Sequence, residues 1–217
     1  MKPYLKVLTL VLVTLITGTL TANGQPDRYT SAMLSTIEMM EQSSEPTNLI
    51  ESANLFERIA TAEKSLWLPY YYASYSLVLM SYDEGDGAQR DLILDRAQKL
   101  LDRALELEPE ESELHVLQAF LYPSRILVDP MGRGMTYIEL MFSSLEMAKN
   151  LNPENPRSYF LEGLNKLNLP PSFGGGADVA KPILEEALIK FEAFTNEDPL
   201  WPVWGEETTR TELEKLQ

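Results

Sequence analysis

One histidine and no cysteine in 217 residues leave little material for catalysis or metal binding. A structural or catalytic metal centre needs several nitrogen or sulfur ligands at defined spacing, and His115 alone cannot build one. As a catalytic base His115 would need a nucleophile and an orienting group beside it, and the sequence names neither. It sits between Leu114 and Val116, as an inter-helix packing residue does. Carboxylates crowd Pro109 in Glu106, Glu108, Glu110, Glu111 and Glu113. Paired acids can act as general acid and base, but acids in the first turn of a helix favour its dipole, and the local role accounts for these. Asp83-Glu84-Gly85-Asp86-Gly87 alternates acid and glycine like a calcium loop, yet lacks the later ligands and closing glutamate of an EF-hand. It reads as a turn. Three glycines, Gly174 to Gly176, precede a helix and could offer backbone amides to a phosphate, but the run continues Ala177-Asp178 rather than Lys-Ser/Thr. The expectation is a structural connector: Phe173 plugs between helices while Gly174, Gly175 and Gly176 adopt backbone conformations barred to other residues. No catalytic, cofactor-binding or metal-binding residue is assigned, and the chain is expected not to be an enzyme and to carry no cofactor.

The elements around these residues are helical. Apolar residues recur three and four apart in Ala97, Leu101, Ala104; in Met141, Leu145, Ala148; and in Ala187, Phe191, Phe194. That spacing places each set on one helix face. Each is followed by a proline, Pro109, Pro153 or Pro199, which lacks an amide donor and closes the helix. A unit returning after about 45 residues marks a helical array. The spacing predicts helices over 28–42, 47–64, 69–82, 88–107, 110–127, 134–150, 156–168 and 178–195, then an extended linker over 199–205 and a final helix over 206–216. The segment 69–82 is apolar nearly all round, as a central, covered helix is. The last helix has Leu213 and Leu216 as its clear anchors, as a solvent-facing cap requires.

These units resemble the tetratricopeptide repeat, with a small residue early in the second helix, a closing proline, and an aromatic and a glycine at Tyr159 and Gly163 of the next first helix. His115 and Ala119 hold the same two places one unit earlier. Each unit is about ten residues longer than the usual 34, the excess being expected in longer helices and in loops such as 129–134. The resemblance implies an all-α fold, a right-handed superhelical array of antiparallel helix pairs with a C-terminal capping helix. It also implies a concave face lined by the first helix of each pair, and hence an interaction groove containing Tyr70, Leu77, Phe120, Phe160 and Leu164. The Met-rich first helix, with Met33, Met39 and Met40, is a candidate to cover that groove. The lysines and asparagines that would clamp a peptide carboxylate are absent from these positions.

Formal charge is −15. Phosphate backbones and anionic membrane surfaces repel such a chain, so neither nucleic acid nor stable membrane insertion is expected. Residues 1–24 have the plan of an export signal: Lys2 and Lys6, an apolar run from Val7 to Ile16, and Ala22-Asn23-Gly24 before a cleavage site at Gln25. The apolar run is shorter than the roughly 20 residues of a spanning helix. The expectation is a single tetratricopeptide-like domain over 25–217, periplasmic or secreted, acting as a non-catalytic protein-interaction module with a protein or peptide partner. The alternative is a periplasmic binding protein that takes a small apolar ligand or peptide in its concave groove and serves a transport system.

Overall fold

A computed structural model describes residues 27–42 and 46–216, so the expected signal 1–24 and its junction at Gln25 lie outside the described residues. The described residues form nine α-helices: α1 Arg28–Glu41, α2 Pro46–Ala62, α3 Leu68–Asp83, α4 Gly87–Leu107, α5 Ser112–Val128, α6 Pro130–Leu151, α7 Pro156–Asn168, α8 Ala177–Ala193 and α9 Glu206–Lys215. A short 3-10 turn, Pro171–Phe173, precedes α8, and no strand occurs among the described residues. The fold is all-α, with each helix packed on its neighbours in the chain.

Short polar side chains start the helices. Asp27, Asp86, Asp129 and Asn155 each accept a hydrogen bond from a backbone N–H two or three residues ahead, which satisfies a donor that the first turn leaves open. This corrects one expectation. Residues 129–134 are not a loop: Asp129 caps and Pro130 opens α6, because proline suits a first helical position and its missing N–H costs nothing there. Of the acids near Pro109, Glu111 acts locally, accepting from the backbone N–H of Glu113, whereas the Glu113 side chain departs from the expected local role and pairs with Arg157 of α7. His115 reaches the Pro109 carbonyl at 3.2 Å.

The stripes read from the sequence are buried. Ala97, Leu101, Ala104, Met141, Leu145, Ala148 and Ala187 lose essentially all solvent contact. Phe194 departs from its stripe, because α8 ends at Ala193 and Phe194 follows in extended backbone. α3 is covered on nearly every side and anchors one apolar cluster with α1, α2, α4 and α5. A second cluster joins α5 to α9, and Phe120, Tyr122 and Trp204 touch both. α9 caps the array through Thr209 and Leu213.

The connector before α8 follows the expectation at two of its three glycines and departs from it at Gly175 and Phe173. Gly174 and Gly176 have φ of 72° and 100°. Gly175 does not have positive φ; it is buried where a Cβ would stand 2.3 Å from the Leu169 carbonyl oxygen and 2.6 Å from that of Lys166. Phe173 does not plug the helices: its ring is 64% exposed.

Candidate functional site

The concave face is formed by α3, α5 and α7, and the chain itself fills much of it. After α8 the backbone runs without helix from Phe194 to Gly205, turning at Pro199–Leu200 where the Trp201 N–H donates to the Asp198 carbonyl, and crosses this face before α9. Trp204 lies at its centre. Its ring stacks on Tyr75 at 5.3 Å and on Phe120 at 5.6 Å, and meets Phe160 edge-on at 6.2 Å. Its indole N–H donates to the Tyr71 hydroxyl at 2.9 Å. The Tyr72 hydroxyl donates to the Leu200 carbonyl at 2.8 Å, and Trp201 meets Trp67 edge-on. Gly205, with φ of 108°, lets the chain turn into α9 where a Cβ would lie 2.9 Å from the Phe191 ring.

Beneath the linker lies an ion pair that the sequence reading missed. Arg157 on α7 and Glu113 on α5 are both fully buried, and Arg157 Nε donates to Glu113 Oε1 at 2.7 Å. Arg157 Nη2 is 2.6 Å from the same oxygen but out of line for a hydrogen bond, and Glu113 Oε2 has no protein partner. The guanidinium also lies under the rings of Phe194 and Trp204, at 5.3 and 5.9 Å. Burial works against its charge, but the Glu113 carboxylate more than offsets this and holds the Arg157 pKa above its ordinary value. The two residues occupy the second positions of α5 and α7, and that recurrence with opposite sign was the available signal.

Of the five expected groove residues, Phe120, Phe160 and Leu164 come together. Phe160 is buried against Trp204 and Phe191, whereas Phe120 and Leu164 remain half-buried. Tyr70 faces the other way, its hydroxyl donating to the Ala60 carbonyl of α2. Leu77 is fully buried in the first cluster. Tyr71 and Tyr75, one helical turn apart, are the α3 side chains that meet Trp204. The covering element is therefore the C-terminal linker and not the first helix, whose Met33 and Met40 are buried in the first cluster. Beyond Trp204 the groove keeps an open mouth of about 240 Å³ walled by Tyr82, Phe120, Pro123, Leu161 and Leu164, with Asn165 and Asn168 on its rim.

No group of three or more His, Cys, Asp or Glu among the described residues is placed to hold a metal ion, and no described helix is long and apolar enough to cross a membrane. Among solved structures the chain is similar to the HusA haemophore from Porphyromonas gingivalis, with 31% identity and a TM-score of 0.80 over 89% of this chain and 95% of that one. The chain belongs to the family of that haemophore. No protein-family model and no curated protein matches it, so the tetratricopeptide likeness rests on helix pairing alone.

Proposed function

We propose that this protein is an exported, non-catalytic binding protein for a haem-class ligand, with the mouth of the concave groove as its seat. Kinship with a haemophore along almost its whole length carries the reading. The groove mouth supports it. Tyr82, Phe120, Pro123, Leu161 and Leu164 offer an apolar wall, and the trough is open on one side, so a flat macrocycle can lay one face on that wall and keep its carboxylates in water. The scaffold reading is weaker, because the surface expected to dock a protein partner is largely occupied by the protein's own linker.

Titration of the purified chain with haem, followed through the Soret band, tests this. Saturable one-to-one binding is expected, and Leu164→Glu should weaken it at least about tenfold per folded molecule, since it puts a charge on the apolar wall. Absence of saturable binding would remove the haem reading. Unaltered binding by the variant would move the seat away from the groove mouth.

A further inference from the structure

The described residues contain nine arginines, and seven are bonded. Arg96 pairs with Glu57, Arg103 with Glu106, Arg125 and Arg133 with Asp91, Arg157 with Glu113 and Arg210 with Glu192, while Arg90 donates to the carbonyls of Ser81 and Glu84. The two without a partner among the described residues, Arg28 and Arg58, line one cavity. It is a cleft of about 560 Å³ between α1 and α2, more than twice the groove mouth and within the usual range for small-molecule sites. Its walls explain its size. α1 contributes the small side chains Ala32, Ser35 and Thr36, which cannot fill the space opposite Leu55 and Ile59 of α2. At Ser35 the cleft continues into a second depression of about 380 Å³ reaching Met39.

We infer that the α1–α2 cleft is a binding site, distinct from the groove mouth, for an apolar ligand bearing carboxylates, with Arg28 and Arg58 holding those carboxylates. Charge complementarity selects this occupant. On a chain of net charge −15 an anion is repelled at long range, so a site for one needs local cations whose hydrogen-bonding capacity is unspent. Guanidinium forks supply it and bind carboxylates through paired N–H groups. Glu63 on the lining, with Asp27 and Asp198 within electrostatic reach of Tyr29, offsets the two positive charges at longer range, so the guanidiniums would hold a carboxylate through short paired N–H contacts and not through the net field of the cleft. The Tyr29 phenol has its pKa pushed up to about 12, first by burial and then by Asp198, Glu63 and Asp27, so it adds a neutral donor rather than a competing negative charge. Two ligands share the required chemistry, a tetrapyrrole with its propionates and a long-chain fatty acid. The inference stands apart from the groove reading and survives its failure.

The test uses the purified chain with haem in one arm and the fluorescent fatty acid cis-parinaric acid in the other. Arg28→Gln/Arg58→Gln removes both charges at exposed positions, and Ser35→Trp fills the cleft while keeping them. The inference expects both variants to bind at least one probe at least about tenfold more weakly than wild type. Loss of haem binding alone identifies a tetrapyrrole site, and loss of parinarate binding alone a fatty-acid site; either supports the inference. Wild-type affinity of the double arginine variant for both probes would overturn it. So would failure of both probes to bind the wild type.

Discussion

The concave face and the α1–α2 cleft are opposites in composition and in occupancy. The concave face gathers Tyr71, Tyr75, Phe120, Phe160 and Trp204, and their rings meet one another. Its buried charges are spent on each other in the Arg157–Glu113 pair. The cleft has few aromatic atoms, small side chains on one wall and two guanidiniums without a partner among the described residues. Aromatic density here marks a core that the protein completes with its own linker, and only the rim is left for a ligand. Unfilled volume together with unspent charge marks the better-defined vacancy. Substitutions should accordingly act on stability where the linker covers the concave face, and on binding at its open mouth and at the cleft.

The largest effect expected is alkaline unfolding driven from the concave face. Burial, before any charge effect, raises the pKa of Tyr71, Tyr72 and Tyr75 well above the ordinary 10.0. A group whose folded pKa lies above its unfolded one contributes its full stability below the unfolded value and loses it as pH rises. The window therefore opens at about pH 10, and each phenol held neutral gives up at most about 1.4 kcal/mol per pH unit above it. Chemical denaturation at pH 8 and pH 11 should show a fall of several kcal/mol, and ultraviolet titration should show these phenols ionising only as the fold is lost. Reversible ionisation of every tyrosine in the folded state by pH 11 would contradict the dry, linker-sealed face.

Trp204→Ala should cost about 3 kcal/mol, because it removes a stacked ring together with the indole hydrogen bond to Tyr71. If the linker is instead a loose cover, the melting temperature will hardly move and haem affinity will rise as the groove opens.

The helices and their pairing were legible in the sequence because three- and four-residue spacing survives in Ala97, Leu101, Ala104 and their counterparts. The start of α6 was misread because Pro130, Gly132 and Gly134 resemble a loop in composition, whereas Asp129 and Pro130 together form a helix start. The concave face was half legible: Phe120, Phe160 and Leu164 followed from the repeat, but counting along α3 gave Tyr70 in place of Tyr71 and Tyr75. The linker's role left no periodic signal, since residues 194–205 are non-helical. The clue was composition. Two of the chain's three tryptophans, Trp201 and Trp204, fall in this non-helical stretch, where large rings have to find a surface to cover. The cleft was invisible because it is made by what α1 lacks in bulk, and a missing volume has no residue to announce it.

Gly175→Val tests the connector, which lies outside both regions and should behave like core. A Cβ there has to displace two backbone carbonyls, Leu169 and Lys166, so a loss of about 1–3 kcal/mol is expected in thermal melting, with ligand binding per folded molecule unchanged. An unchanged melting temperature would mean that the Pro170–Gly176 segment shifts at little cost.

The smallest expected effect sharpens the comparison most. Arg28→Gln/Arg58→Gln should alter stability by no more than about 0.5 kcal/mol, as exposed side chains without partners among the described residues do. Arg157→Gln, on the concave face, should cost about 3–5 kcal/mol, because it strands the fully buried Glu113 carboxylate without its counter-charge. Both substitutions replace arginine by glutamine, so the contrast isolates environment from chemistry. Differential scanning calorimetry of the two variants alongside wild type reads it directly. A double variant at the cleft that melts like wild type, beside an Arg157 variant that barely folds, would assign the first pair of charges to a ligand and the second to the fold. A large loss from Arg28 and Arg58 would instead show that these guanidiniums are already paired within the protein, and the cleft would then lack the free charge that distinguishes it from the concave face.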